Sequence, residues 1–204
     1  MDSFPPAAAI ERLCAAVAAD GWSVEERFAP PLLVGALRTE LRRRDAAGEF
    51  HPAGVGRGRA RAERPDIRGD RIAWLDETSL SPHERSVWET LERVRAAVNR
   101  DSALGLFTLE AHYAIYPPGA FYRRHRDRFR DDDARVLSWV LYLNDAWRAG
   151  DGGALRIHLE QGESRDVAPV AGTLVCFLSE RFEHEVLPAT RERASLSGWF
   201  RRRA

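Results

Sequence analysis

The chain has 204 residues, 44% hydrophobic and 30% charged, which suits one compact domain spanning 1–204 with a substantial core. Its 31 basic residues, every one an Arg, balance 31 acidic ones, and this neutrality counts against a strongly basic nucleic-acid binder. There is no basic leader ahead of an apolar run and no window near the roughly 20 apolar residues of a membrane span, so a cytoplasmic protein is expected. The two cysteines, Cys14 and Cys176, sit in apolar surroundings without zinc spacing and read as buried thiols.

In chain order, Pro5 to Ala19 predicts a helix with Ile10, Leu13, Cys14 and Val17 on one stripe, ended by Asp20-Gly21. Trp22 to Phe28 alternates like a short strand, and Pro30 to Arg44 predicts a second helix with Leu33, Leu37 and Leu41 on one face. Ala46 to Gly69 is rich in Gly, Arg and Pro and reads as a long loop, the kind of segment that tends to bind something. The Arg runs at 42–44, at Arg57, Arg59 and Arg61, and at 201–203 read as solvated faces or tails. Strand character resumes over Ile72 to Leu75. Ser81-Pro82-His83-Glu84 then has the cap, the proline and the returning Glu of a helix start, and Val87, Leu91, Val94 and Val98 carry that helix to about Arg100.

From Leu106 the period changes to two, with Phe107, Leu109, Ala111, Tyr113 and Ile115 on the apolar side. Further strands are expected at 135–144, 154–159, 173–178, 184–187 and 193–201, with turn signals at Gly150-Asp-Gly-Gly153 and Ala171-Gly172. Helices first and strands afterwards predict an α+β fold, with helices on one face of a rolled antiparallel sheet. Residues 1–105 would form a helical support with a finger-like loop at 46–69, and 106–203 the sheet core.

The chemistry concentrates in the second half. His125 and Asp127 are two apart, and residues so spaced on a strand face the same way, so both are expected to reach one metal ion. With His184 from another strand they make the ligand set of a non-haem Fe(II) facial triad, which leaves three coordination positions for cosubstrate and dioxygen. Arg193, nine residues beyond His184, has room to return along the next strand and grip a carboxylate with its fork of donors. The combination reads as a 2-oxoglutarate-dependent oxygenase. A His-x-Asp pair alone is weak, since such pairs also arise in surface loops and core hydrogen bonds.

The surrounding motifs are ordered, and together they are a strong signal. They run Tyr116-Pro-Pro-Gly-Ala-Phe-Tyr-Arg-Arg-His-Arg-Asp127, Leu141-Tyr-Leu-Asn144, Gly152-Gly-Ala-Leu-Arg-Ile157, Phe182-Glu-His-Glu-Val-Leu-Pro188 and Arg193-Ala-Ser-Leu-Ser-Gly-Trp-Phe200. This set resembles the prolyl hydroxylase branch of the 2-oxoglutarate/Fe(II) oxygenases, that of the hypoxia-inducible-factor prolyl hydroxylases and their bacterial relatives. Asp66-Ile-Arg-Gly-Asp-Arg-Ile-Ala-Trp74 resembles the segment that follows the mobile finger loop in that branch, so the likeness covers about residues 21–203.

The resemblance implies a double-stranded β-helix, a jelly-roll variant, behind N-terminal supporting helices. It makes His125, Asp127 and His184 the Fe(II) ligands and pairs Arg193 with the distal carboxylate of 2-oxoglutarate, helped by the Tyr142 hydroxyl. Ser197 shares a strand face with Arg193 and is the expected helper; Ser195, on the same face, is the second choice. Tyr116 lies on the strand face opposite the apolar stripe and is expected in the cavity, with Leu155 and Val186 walling the cosubstrate pocket. Arg135 and Trp199 match positions near the peptide at the mouth of the site, Arg68 and Asp70 match a pair that steadies the finger loop, and Tyr122 would line the entrance. His112 departs from the pattern, standing where the family tends to carry an apolar residue.

The implied activity is hydroxylation of prolyl residues in a protein substrate, with dioxygen consumed, succinate and CO2 released, and ascorbate as reductant. A translation factor such as elongation factor Tu is the candidate target by analogy, and oxygen sensing a candidate role. Action on a free amino acid, a small metabolite or alkylated nucleic acid stays open, as does a catalytically silent peptide-binding module. A nucleic-acid substrate calls for a basic mouth, against the neutral charge.

Overall fold

The computed structural model describes residue 5 and residues 7–56, 62–127 and 134–203. The Arg57, Arg59 and Arg61 run, and with it the middle of the 46–69 loop, lies outside the described residues.

Three helices come from the first half: α1 (Ala7–Asp20), α2 (Pro31–Ala46) and α3 (Pro82–Ser102). The start of α3 is the predicted capping box. The Ser81 hydroxyl accepts from the Glu84 amide at 3.4 Å, and the Glu84 carboxylate accepts from the Ser81 amide at 2.8 Å. Glu84 is buried and also takes both Nε and Nη2 of Arg44 in α2, at 3.0 and 3.2 Å. One carboxylate thus caps α3 and ties it to α2.

Thirteen strands among the described residues complete the fold: β1 (Trp22–Glu25), β2 (His51–Pro52), β3 (Gly54–Val55), β4 (Ala62–Glu63), β5 (Arg71–Trp74), β6 (Thr108–Tyr116), β7 (Tyr122–His125), β8 (Arg135–Tyr142), β9 (Leu155–His158), β10 (Ser164–Val167), β11 (Leu174–Leu178), β12 (Glu183–Val186) and β13 (Arg193–Arg201). Seven form one antiparallel sheet in the order β1-β11-β8-β13-β6-β5-β2, and four form a second in the order β10-β9-β12-β7. The interleaved order is the jelly-roll expected, and β3 pairs with β4 inside the segment read as a plain loop.

Period-two alternation sorts side chains between two layers. Leu109, Ala111, Tyr113 and Ile115 of β6 join Leu137, Trp139 and Leu141 of β8 and Ala194, Leu196 and Phe200 of β13 in the core shared with the helices. Cys14 and Cys176 sit in that same core, where burial pushes both thiols up, the first to about 11. The alternate residues face the interior of the roll. There Ala114, Tyr116, Tyr142, Val175 and Phe177 meet Leu155, Ile157 and Val186 of the smaller sheet.

The sequence reading differs from the structure at two points that bear on the site. β10 follows β9 within a polar stretch, Ser164–Val167, whose strand character depends on pairing with β9 rather than on an apolar pattern. And β7 ends at His125, so Asp127 lies in a bend beyond the strand, not on it.

Candidate metal and cosubstrate site

A cavity of about 420 Å3 opens between the two sheets. His125 at the end of β7, Asp127 just past it and His184 on β12 converge in it, with one ligand atom of each lying within 4.8 Å of the others. His184 and His125 are register partners across the β12–β7 pair, which brings the imidazoles side by side, 4.2 Å between centroids. The shared face expected of His125 and Asp127 is thus reached by a turn, and the correction changes the route without separating the residues.

The second nitrogen of each imidazole is spoken for. His125 Nδ1 lies 2.6 Å from the Arg123 carbonyl oxygen and His184 Nδ1 lies 3.3 Å from that of Phe182, so each Nδ1–H donates to backbone and each Nε2 keeps its lone pair. Both Nε2 atoms stand 3.6 Å from Asp127 oxygens, His125 from Oδ1 and His184 from Oδ2, beyond hydrogen-bond length. Two imidazole lone pairs and a carboxylate, fixed around one point and not bonded to one another, fit a divalent metal such as Fe(II).

Electrostatics agree. Burial pushes the His184 imidazole down to about 4, so it is neutral and able to ligate at neutral pH. Burial alone would raise the Asp127 carboxyl, but the neighbouring His184 and His125 and the Ser138 hydroxyl outweigh it and hold the group well below the ordinary carboxylate range. Ser138 on β8 donates to Asp127 Oδ2 at 2.7 Å and lies 2.9 Å from the Ser179 hydroxyl.

Arg193, the first residue of β13, is buried, and its Nε donates to the Gly153 carbonyl oxygen at 3.0 Å. Its guanidinium carbon lies 5.0 and 5.1 Å from the ring centroids of Tyr116 and Tyr142. Arg193, Tyr116, Leu155, Val186, Ser195 and Ser197 all line the cavity. Tyr142 stands beside Arg193 with its hydroxyl buried and unpartnered, and burial pushes that hydroxyl up, so it remains a donor. A buried cation beside an unpartnered donor fits the distal carboxylate of 2-oxoglutarate. Ser195 and Ser197 lie 3.0 Å apart, Oγ to Oγ, so the two candidates form one hydrogen-bonded pair.

Of the peptide-side candidates, Arg68, Tyr122, Arg135 and Trp199 line the cavity, and buried Asp70 does not. Arg135 lies 3.5 Å over the Trp199 ring and donates to Glu110 at 2.9 Å. Arg68 makes a bidentate pair with buried Asp70 at 2.7 and 2.5 Å, and its guanidinium lies 4.2 Å over the Tyr122 ring. Tyr122 in turn stacks on His125, 3.6 Å between centroids and 19° between planes. The root of the 46–69 segment is therefore connected, through Arg68 and Tyr122, to a candidate metal ligand.

Ser138, the layer of Trp74 and His112 against Trp199, and the Gly153 carbonyl are not among the residues expected from the sequence. Ser138 had a signal: it is a polar residue on the cavity parity of β8, between the apolar Leu137 and Trp139. The Gly153 carbonyl had none.

Residues 111–201, which hold the triad, Arg193 and both serines, match the family model described as 2OG-Fe(II) oxygenase superfamily. A crystallised prolyl-4-hydroxylase from Pseudomonas putida is 49% identical, with a TM-score of 0.86, 96% of this chain covered and 100% of that one. The chain belongs to the 2-oxoglutarate/Fe(II) oxygenases, in their prolyl hydroxylase branch. A hypoxia-inducible factor prolyl hydroxylase of Caenorhabditis elegans is 30% identical over 192 residues, 88% of this chain, and the chain spans 26% of that protein's length. A prolyl hydroxylase from Trichoplax adhaerens, solved with a hypoxia-inducible-factor oxygen degradation domain peptide, shares the fold at 22% identity, with a TM-score of 0.83, 94% of this chain covered and 88% of that one. Membership in the branch accounts for the order of the motifs, and no described helix is long and apolar enough to cross a membrane.

Proposed function

We propose that this oxygenase hydroxylates prolyl residues of a protein substrate, with Fe(II) held by His125, Asp127 and His184 and 2-oxoglutarate anchored on Arg193. The observation that carries the reading is the placement of three metal-ligating atoms within 4.8 Å in a cavity whose wall also presents a buried Arg. Iron and 2-oxoglutarate, when bound, would supply the oxidising chemistry: one atom of dioxygen enters a C–H bond and the other enters the succinate formed as 2-oxoglutarate loses CO2.

The chain's own residues do the rest. Backbone carbonyls of Arg123 and Phe182 set both imidazole tautomers, and Ser138 fixes the carboxylate rotamer. Arg193, held by Gly153, offers its remaining N–H donors to the cosubstrate carboxylate, with Tyr142 and the Ser195–Ser197 pair alongside. Leu155, Val186 and Phe177 give apolar walls that exclude water from the reacting centre.

A macromolecular substrate is favoured by the length of the 46–69 segment, whose described end at Arg68 packs on Tyr122 in the cavity wall. A translation factor remains the candidate target, with a cytoplasmic setting, ascorbate as reductant and oxygen sensing as the role. The reading takes residues 1–204 as one catalytic unit. The test is anaerobic reconstitution with Fe(II), 2-oxoglutarate and ascorbate, then exposure to air with a panel of proline-containing peptides. One added oxygen on a proline, matched by succinate, is the expected result. Succinate with no modified peptide keeps the oxygenase and discards this panel as substrate. No succinate from iron-loaded protein leaves only a binding module.

A further inference from the structure

One polar side chain on the cavity wall has no part in holding metal or cosubstrate. His112 of β6 is 4% exposed, with Trp74 of β5 opposite it on one side and Ser197 of β13 on the other. Its ring stacks on Trp199, 5.3 Å between centroids and 22° between planes, and lies 4.9 Å from Trp74. Nδ1 is sealed from solvent without a hydrogen-bond partner. Burial first, then the positive charges of Arg68 and Arg135, push the imidazole down to about 3 despite Asp127, so the ring is neutral.

A neutral imidazole carries one proton on one of two nitrogens. Placing it on Nδ1 would leave a sealed N–H with no acceptor, and orphaned buried donors are rarer in proteins than under-satisfied acceptors. The favoured tautomer therefore has its proton on Nε2, at the tip of a side chain that lines the cavity. Both indoles pack against the imidazole and lie 6.3 Å from each other, so a hydrogen bond made at this tip is shielded from water on that side and correspondingly selective. An imidazole without a protein partner at such a place is matched by an acceptor on the ligand.

We propose that His112 is a substrate-recognition residue whose Nε2–H donates to a backbone carbonyl of the peptide beside the target proline, with Trp74 and Trp199 packed against its ring. This rests on the prolyl hydroxylase reading and adds a requirement to it: the substrate must present a carbonyl at this point of the wall.

The test compares wild type with His112→Met, which keeps length and apolar bulk, and His112→Gln, which keeps an N–H donor at the tip. In the Zn(II)-substituted protein with 2-oxoglutarate, ligand-observed NMR follows binding of the probe N-acetylproline methylamide. Steady-state KM values follow for any peptide the wild type hydroxylates. Loss of one shielded hydrogen bond predicts that Met weakens probe binding and raises peptide KM roughly tenfold, with Gln within about threefold of wild type. The affinity for 2-oxoglutarate stays the same in all three proteins.

Equal probe binding by wild type and Met overturns the proposal. So does a wild type that binds 2-oxoglutarate but not the probe, and so does a parallel loss of 2-oxoglutarate affinity in both variants, which assigns His112 to packing. The prolyl hydroxylase reading is judged separately, by the mass of the peptide product. A hydroxylated proline with unchanged KM in His112→Met removes the inference and leaves that reading standing. Probe binding without any hydroxylated proline does the reverse.

Discussion

The Ser138 hydroxyl donates to Asp127 Oδ2 at 2.7 Å, and this bond joins a carboxylate lying beyond the end of β7 to β8, an inner strand of the larger sheet. His125 and His184 are fixed by strand pairing, but Asp127 is followed by residues outside the described set and has this side-chain anchor instead. The geometry of the third ligand depends on a residue from the opposite sheet.

Replacing Ser138 by Ala should therefore weaken metal binding by about 10–100-fold, the usual effect of losing a partner that orients a ligand. Calorimetric titration of the protein with Fe(II) under nitrogen measures this. An unchanged affinity would mean that Asp127 is positioned without Ser138.

Arg193 is expected to grip a carboxylate with two N–H donors while Nε stays on the Gly153 carbonyl. Lys keeps the charge but cannot serve the carbonyl and the carboxylate together, so Arg193→Lys should raise the KM for 2-oxoglutarate by roughly tenfold or more. Succinate formation against 2-oxoglutarate concentration reads it directly, and the KM for peptide should move far less.

The bidentate Arg44–Glu84 pair joins α2 to α3 in a buried setting. Arg44→Met leaves the Glu84 carboxylate buried with its charge uncompensated and should cost about 3–5 kcal/mol of stability. Urea unfolding followed by circular dichroism gives the value, and a loss below about 1 kcal/mol, as for an exposed pair, would show the pair to be solvated.

His112 sets a pH dependence of stability. Its imidazole titrates near 6.5 when unfolded and is pushed by burial to about 3 when folded. Between those values the unfolded chain carries the extra proton, so stability falls as pH falls, by about 1.4 kcal/mol per unit from this group. The metal-free His112→Met protein should show a shallower loss from about pH 6 to 4 than wild type, in urea midpoints taken across that range. Parallel curves would contradict a buried neutral His112.

Much of this was legible because period two is a strong signal. The alternation along β6 separated Ala111, Tyr113 and Ile115 from Ala114 and Tyr116, and the structure puts the first set against the helices and the second in the roll. Arg193 followed from its spacing after His184, Ser195 and Ser197 from sharing its face of β13, and all three line the cavity. What escaped depends on partners remote in the chain. Ser138 gains its role from Asp127 across the roll, β10 is a strand because β9 lies beside it, and the Gly153 carbonyl that holds Arg193 has no side chain to announce it. Asp127 was placed on a strand because residues two apart usually share one, and the bend after His125 reaches the same point by another path.

The most direct test of the site as a whole is anaerobic calorimetry of 2-oxoglutarate binding, with and without Fe(II), to wild type and Asp127→Ala. The account predicts one 2-oxoglutarate bound per chain, tightly only when Fe(II) is present, and in Asp127→Ala no such enhancement by iron although the protein stays folded. Equal 2-oxoglutarate affinity with and without metal in wild type, or iron-enhanced binding that survives in Asp127→Ala, would contradict it.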